Sequence, residues 1–170
     1  MIDKRKEVCR NYLEARDEFL NFANNDKVLN GNDNIIGRIG EAIAHSFLEQ
    51  TNRKPEVLNV NNNEGYDIKC YDLSKAKVSV KTITAENKFG GTTKINNKYD
   101  ELILIEISRN RKVIKLGHIT KDNFIQGYKK SNEYKAATPY FRKTMIRKNG
   151  LVDNYGKVYL GDELNKFKLL

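Results

Sequence analysis

The chain has 170 residues, 39% of them hydrophobic, and a net charge of +9. That is the size of a single domain that can bury its own core without staples. No apolar run approaches the roughly 20 residues of a membrane span. The basic residues 1–6 are not followed by an apolar stretch, so no signal peptide is expected. Cys9 and Cys70 show no metal-ligand spacing and are not expected to form a bridge. The cytoplasm is therefore the expected location. The charge is unevenly spread: residues 1–50 carry a net −2, residues 51–120 a net +5 and residues 121–170 a net +6. A regional positive surplus implies a polyanionic partner.

In chain order, Val8, Tyr12, Ala15, Phe19 and Phe22 or Ala23 recur at spacings of three and four, which predicts a helix over residues 3–25. Asparagine- and glycine-rich breakers follow. A second helix is expected over residues 35–50, capped by Asp33 or Asn34, with Ile36, Ile39, Ile43 and Phe47 as its apolar stripe. Residues 56–60 form a short candidate strand. Residues 66–71 and 78–84 are stronger ones, close enough in sequence to predict an antiparallel hairpin. Residues 86–98 read as a glycine-, asparagine- and lysine-rich loop. The nearly continuous apolar run 102–107 reads as a strand buried on both faces. Residues 113–119 give another strand, and Thr120 would cap a short helix over 121–127. Beyond Tyr128 the chain is basic and tyrosine-rich with weak periodicity, and residues 158–160 suggest a last strand. There is no repeat and no linker. The expected fold class is α/β: one domain over 1–170, a central mixed sheet flanked by helices, with a core over about 35–125 and a basic, aromatic-rich extension over 126–170.

The chemistry concentrates on the predicted hairpin. Alternation along the strands places Asp67 with Lys69, and Ser79 with Lys81, so that Asp67 and Lys81 share one sheet face, register permitting. Glu41 lies at the edge of the second helix's apolar stripe, beside Gly37 and Ala44, whose small size admits a neighbouring element. Phosphodiester cleavage requires neutralised phosphate charge and an activated water. A hard divalent cation held by carboxylate and carbonyl oxygens supplies both, and a nearby lysine can orient the water and stabilise developing charge.

Gly37-Arg38-Ile39-Gly40-Glu41-Ala42, then Gly65-Tyr66-Asp67-Ile68, then Val78-Ser79-Val80-Lys81-Thr82 resembles the PD-(D/E)XK nuclease superfamily. The strands after Tyr99-Asp100 and over 113–119 are similar to those that complete its core. The resemblance spans roughly residues 35–125 and implies a restriction-endonuclease-like core. It further implies an Mg²⁺-dependent endonuclease acting on double-stranded DNA, with Mn²⁺ as a substitute metal. By that resemblance Asp67 is the central metal ligand, Lys81 the catalytic lysine, Glu41 the helix-borne acid and the Val80 carbonyl a further ligand. The position two residues before the lysine should carry a second acid and here holds Ser79. Glu41, Glu64 or Glu86 would supply the missing charge. Glu41 is favoured, with Ser79 holding a metal-bound water. By analogy with small nucleases of this class, a type II restriction enzyme is expected, a homodimer paired with a cognate methyltransferase, with the N-terminal helix as dimer element or as part of the core.

Basic residues interleaved with aromatics suit phosphate contacts and base stacking. Lys129, Lys130, Arg142, Lys143, Arg147 and Lys148 in the extension, with Lys88 and Lys94 in the loop, are the expected nucleic-acid contacts. The loop is not a P-loop, since Gly-Lys-Ser/Thr is absent. His45 and His118 are solitary, and neither zinc spacing nor a serine-hydrolase elbow occurs. Two other readings stand beside the nuclease: a catalytically silent nucleic-acid-binding domain on the same scaffold, motivated by Ser79, and an interaction protein whose basic tail docks an acidic partner.

Overall fold

The computed structural model describes residues 2–30, 34–58, 65–87 and 91–169. Helices α1 (Ile2–Ala23) and α2 (Ile35–Gln50) open the chain. The strands are β1 (Pro55–Val57), β2 (Ile68–Cys70), β3 (Lys77–Thr84), β4 (Gly91–Lys94), β5 (Glu101–Ile107) and β6 (Val113–Thr120), followed by β7 (Tyr140–Arg142) and β8 (Lys157–Leu160). Helix α3 (Lys121–Lys130) follows β6, and α4 (Leu151–Tyr155) and α5 (Gly161–Asn165) flank β8. A six-stranded mixed sheet runs in the order β1-β2-β3-β5-β6-β8, with β4 and β7 in a separate two-stranded sheet. Among the described strands of the six-stranded sheet, only the β3–β5 pairing is parallel. The mixed sheet between helices is the expected α/β class. Among the described residues, no helix is long and apolar enough to cross a membrane.

Alternation within one apolar run builds both cores. Ile103, Ile105 and Ile107 of β5 face α2 and pack with Ile43, Phe47 and Leu48. Leu102 and Leu104 face the opposite way, onto Phe124, Phe141, Met145 and Val152. The strand is thus buried on both faces, as its sequence predicts. Helix α2 starts where expected: Asn34 Oδ1 accepts the Gly37 amide at 3.0 Å, satisfying one of the helix's orphan donors. Thr120 caps α3 in the same way.

Three expectations are corrected. The loop over 86–98 contains β4, whose partner β7 lies nearly fifty residues downstream, so no local pattern announces it. The extension after Tyr128 carries the expected last strand, β8, paired with β6, but it is not outside the core, since Phe141, Met145, Ile146 and Val152 are fully buried. Helix α1 forms, yet its apolar stripe does not complete the core, since Val8, Tyr12 and Phe22 are each more than half exposed. Its described attachments lie at its end, where Ala23 is buried and the Arg38 guanidinium lies over the Phe19 ring at 5.5 Å. Arg38 also donates to the Leu29 carbonyl.

Candidate functional site

The hairpin β2–β3 is short on one side. Its register pairs Ile68 with Val78 and Lys69 with Lys77, and the Asp67 amide donates to the Val78 carbonyl at 2.9 Å. Beyond that point β2 has ended, and among the described residues no strand pairs with the rest of β3, which continues to Thr84, on that edge. The Asp67 side chain takes over the ladder. Its Oδ2 accepts the Val80 amide at 2.6 Å and the Ser79 hydroxyl at 3.1 Å. Buried backbone donors must find an acceptor, and here a carboxylate supplies it.

Lys81 closes the constellation. Its Nζ lies 2.8 Å from the Val80 carbonyl, 3.0 Å from Ser79 Oγ and 3.4 Å from Asp67 Oδ2. Three oxygens thus converge on one cation. Asp67 and Lys81 come together as the alternation predicts, but β3 is not a half-solvated strand: Ser79 and Ile83 are buried on one face and Val78 and Val80 on the other.

Glu41 enters from α2. It lines a cleft of about 510 Å³ together with Asp67, Val80, Lys81, Thr82 and Asn96. Burial foremost, and the Asp67 charge second, push its carboxyl up to about 7, against the weaker opposing pull of Lys81 and Arg38. The tightest approach that places it there occurs at Gly40, which the helical wheel does not single out, rather than at Gly37, while Ala44 is buried against the sheet as expected. A Cβ at Gly40 would collide with the Thr82 hydroxyl, whereas at Gly37 it meets only the Asn34 cap. The first turn of α2 opens onto the same cleft through Asn34, Ile36 and Gly37, which adds the positive end of the helix dipole.

The other expected residues separate into those at the cleft and those away from it. Ser79 is fully buried, and its hydroxyl bridges Asp67 and Lys81 instead of facing solvent to hold a water. Glu86 is exposed and does not line the cleft, its carboxyl held below the usual range chiefly by the Thr84 hydroxyl. Glu64 and Lys88 lie outside the described residues. Lys94 on β4 lines the cleft, and Arg142 stands on the neighbouring β7. Arg147 is paired with Glu133 at 3.1 Å. Lys130 and Lys148 are exposed, Lys143 is half-buried, and none of the three lines the cleft. Lys129 borders a separate aromatic groove. His45 pairs with Glu49 and His118 with Glu101, both away from the cleft. Sequence reasoning missed Asn96, which lines the cleft and donates to the Gly65 carbonyl at 2.7 Å, tying the β4–β5 connection to the Asp67 loop. No sequence signal distinguishes it from the many other asparagines nearby.

Among the described residues, no group of three or more histidine, cysteine, aspartate and glutamate side chains is placed to hold a metal. The oxygen donors at the cleft nevertheless fit a hard divalent cation. Mg²⁺ needs only one or two carboxylates, because it retains most of its waters. Here the Asp67 carboxylate and the Val80 carbonyl already converge on the Lys81 ammonium as a stand-in cation, and the Glu41 carboxyl borders the same space. No protein-family model matches this chain, and no curated protein matches it.

Proposed function

We propose that this chain is a metal-dependent endodeoxyribonuclease with a restriction-endonuclease-like core, hydrolysing phosphodiester bonds in double-stranded DNA. The observation that carries this reading is the convergence of Glu41, Asp67 and Lys81 on one cleft, at the one edge of β3 that β2 leaves open. Asp67, Glu41 and the Val80 carbonyl would hold Mg²⁺ or Mn²⁺. Such a cation lowers the pKa of a bound water and neutralises phosphate charge. Lys81 sits within reach of the same oxygens to orient the attacking water and to stabilise charge developing on the phosphate. Ser79 keeps Asp67 and Lys81 in place. A type II restriction enzyme, working as a homodimer beside a cognate methyltransferase, is the specific form proposed. Exposed Tyr12 and Leu13 on α1 would supply the subunit contact.

The test is cleavage of mixed plasmid and genomic DNA in Mg²⁺ or Mn²⁺ by the wild type and by Lys81→Ala. Discrete fragments from the wild type alone are expected. A smear lost in the variant would replace the restriction enzyme with a nonspecific nuclease. No cleavage with either metal would favour the silent nucleic-acid-binding domain, for which Ser79 in the second acid's position is the specific motive.

A further inference from the structure

A basic surface adjoins the cleft on the other side of the Asp67 loop. A depression of about 720 Å³ lies there, with Lys77, Lys98 and Lys121 around a floor of buried Tyr66 and Tyr99. Among the described residues of its lining Asp100 is the only acid, and its carboxylate is already engaged, accepting the Lys77 amide at 2.9 Å. Among the described residues no ion pair neutralises any of the three lysines. The Lys77 ammonium lies 5.2 Å from the centre of the Tyr66 ring, and that of Lys121 donates to the Asn97 carbonyl at 2.6 Å. Two of these charges stand where local preference opposes them. Lys77 is paired across the β2–β3 ladder with Lys69, and like charges directly opposite are destabilising. Lys121 is the first residue of α3, at the positive end of the helix dipole. Stability does not account for charges so placed, whereas a bound polyanion does.

Neighbouring residues divide between the depression and the cleft of Glu41, Asp67 and Lys81. Tyr66 lines the one and Asp67 the other, and Asn97 and Asn96 divide in the same way. The Lys98 stem packs on Gly65, where an added Cβ would meet Lys98 Cβ and Cδ at 3.0 Å. Lys77 precedes Lys81 by four residues on β3, about 13 Å along an extended strand, or roughly four phosphates along one strand of a duplex. Lys94, which lines the cleft itself, continues the basic surface. We infer that Lys77, Lys98 and Lys121 form a backbone clamp, holding phosphates of the DNA duplex that flanks the scissile bond on the Tyr66 side of the cleft. Contacts of this kind fix the position of a duplex without reading its bases. This rests on the nuclease reading and names the surface by which the substrate is held.

The test is equilibrium binding of the full chain to a random-sequence DNA duplex, in EDTA to prevent cleavage, from 50 to 200 mM salt. The triple variant Lys77→Gln/Lys98→Gln/Lys121→Gln removes the three charges and keeps a donor for the Asn97 carbonyl. Each lost phosphate contact lowers the slope of log affinity against log salt by about 0.9. The triple variant should therefore lose about fortyfold less affinity than the wild type across that fourfold salt range. Lys98→Gln alone, whose ammonium makes no hydrogen bond among the described residues, should lower the slope by about one. The control Lys112→Gln/Lys166→Gln/Lys168→Gln removes the same charge from exposed residues that line neither the depression nor the cleft, and should leave the slope nearly unchanged. Equal slopes in the clamp and control variants, with normal metal-dependent cleavage by the wild type, would overturn the clamp and leave the nuclease standing. A slope that falls as expected, with no cleavage by the wild type in Mg²⁺ or Mn²⁺, would support the DNA-holding surface and overturn the nuclease. Binding of polyglutamate as tight as that of the duplex at equal salt would mark a general polyanion surface and overturn the inference.

Discussion

The Asp67 carboxylate accepts the Val80 amide at 2.6 Å, continuing by side chain a strand ladder that β2 stops making by main chain. One residue thus closes the sheet edge and opens a negatively charged face toward the cleft. Asp67→Ala removes both functions. The freed amide and the unpaired Lys81 should cost about 1–3 kcal/mol, measured by urea denaturation. Asp67→Asn keeps an acceptor oxygen and should cost less, while both variants lose cleavage. Full activity in Asp67→Asn would remove Asp67 from the proposed metal site.

Glu41 sets a pH dependence with a definite sign. Its carboxyl is raised from 4.5 to about 7 in the folded chain, so between those values the folded state holds a proton that the unfolded state has released. This contribution to stability is full below about pH 4.5, falls as pH rises through 7, and is lost above it. The cost at pH 8 is on the order of 3 kcal/mol. In EDTA, Glu41→Gln should therefore be the more stable protein at pH 8 and should lose the decline between pH 5 and 8. Added Mg²⁺ should stabilise the wild type at pH 8 and leave Glu41→Gln nearly unchanged, as read by thermal denaturation.

Gly40 is the contact that seats α2 on β3. Gly40→Ala drives a methyl group into Thr82. Overpacking of this kind costs about 1–3 kcal/mol, offset by up to about 1 kcal/mol of helix propensity. A net loss of stability is expected, partly restored by Thr82→Ala, together with reduced cleavage because Glu41 shifts with the helix. An unchanged melting temperature in Gly40→Ala would show that the helix does not sit this close.

Helix α1 exposes Tyr12 and Leu13, side chains that a closed two-fold interface would cover. If this helix carries the proposed dimer, Leu13→Glu should convert a dimer to a monomer in sedimentation velocity without changing the melting of the sheet domain. A monomeric wild type at micromolar concentration would remove the dimer from the proposal.

Much of the scaffold is legible in the residues. The N-cap of α2, the β2–β3 hairpin and the strand buried on both faces each follow from a pattern within one short segment. The convergence of Asp67 and Lys81 follows from the period of two, because both strands of that hairpin are close in sequence. The tail is another matter. Phe141, Met145 and Val152 look like scattered apolar residues until β8 pairs with β6 and closes a core over α3. Likewise, β4 is visible only through β7.

By itself the sequence determined α1 to α3 and the strands of the six-stranded sheet, though not β4, β7 or the short helices of the extension, and which charged residues lie near one another along the chain, since both depend on local period and short separation. Only the tertiary structure decided that α2 meets β3 at Gly40, that Ser79 is buried as a bridge, and that Asn96 ties the β4–β5 connection to the Asp67 loop. Those outcomes depend on steric fit between segments far apart in the chain, for which no local periodicity carries a signal.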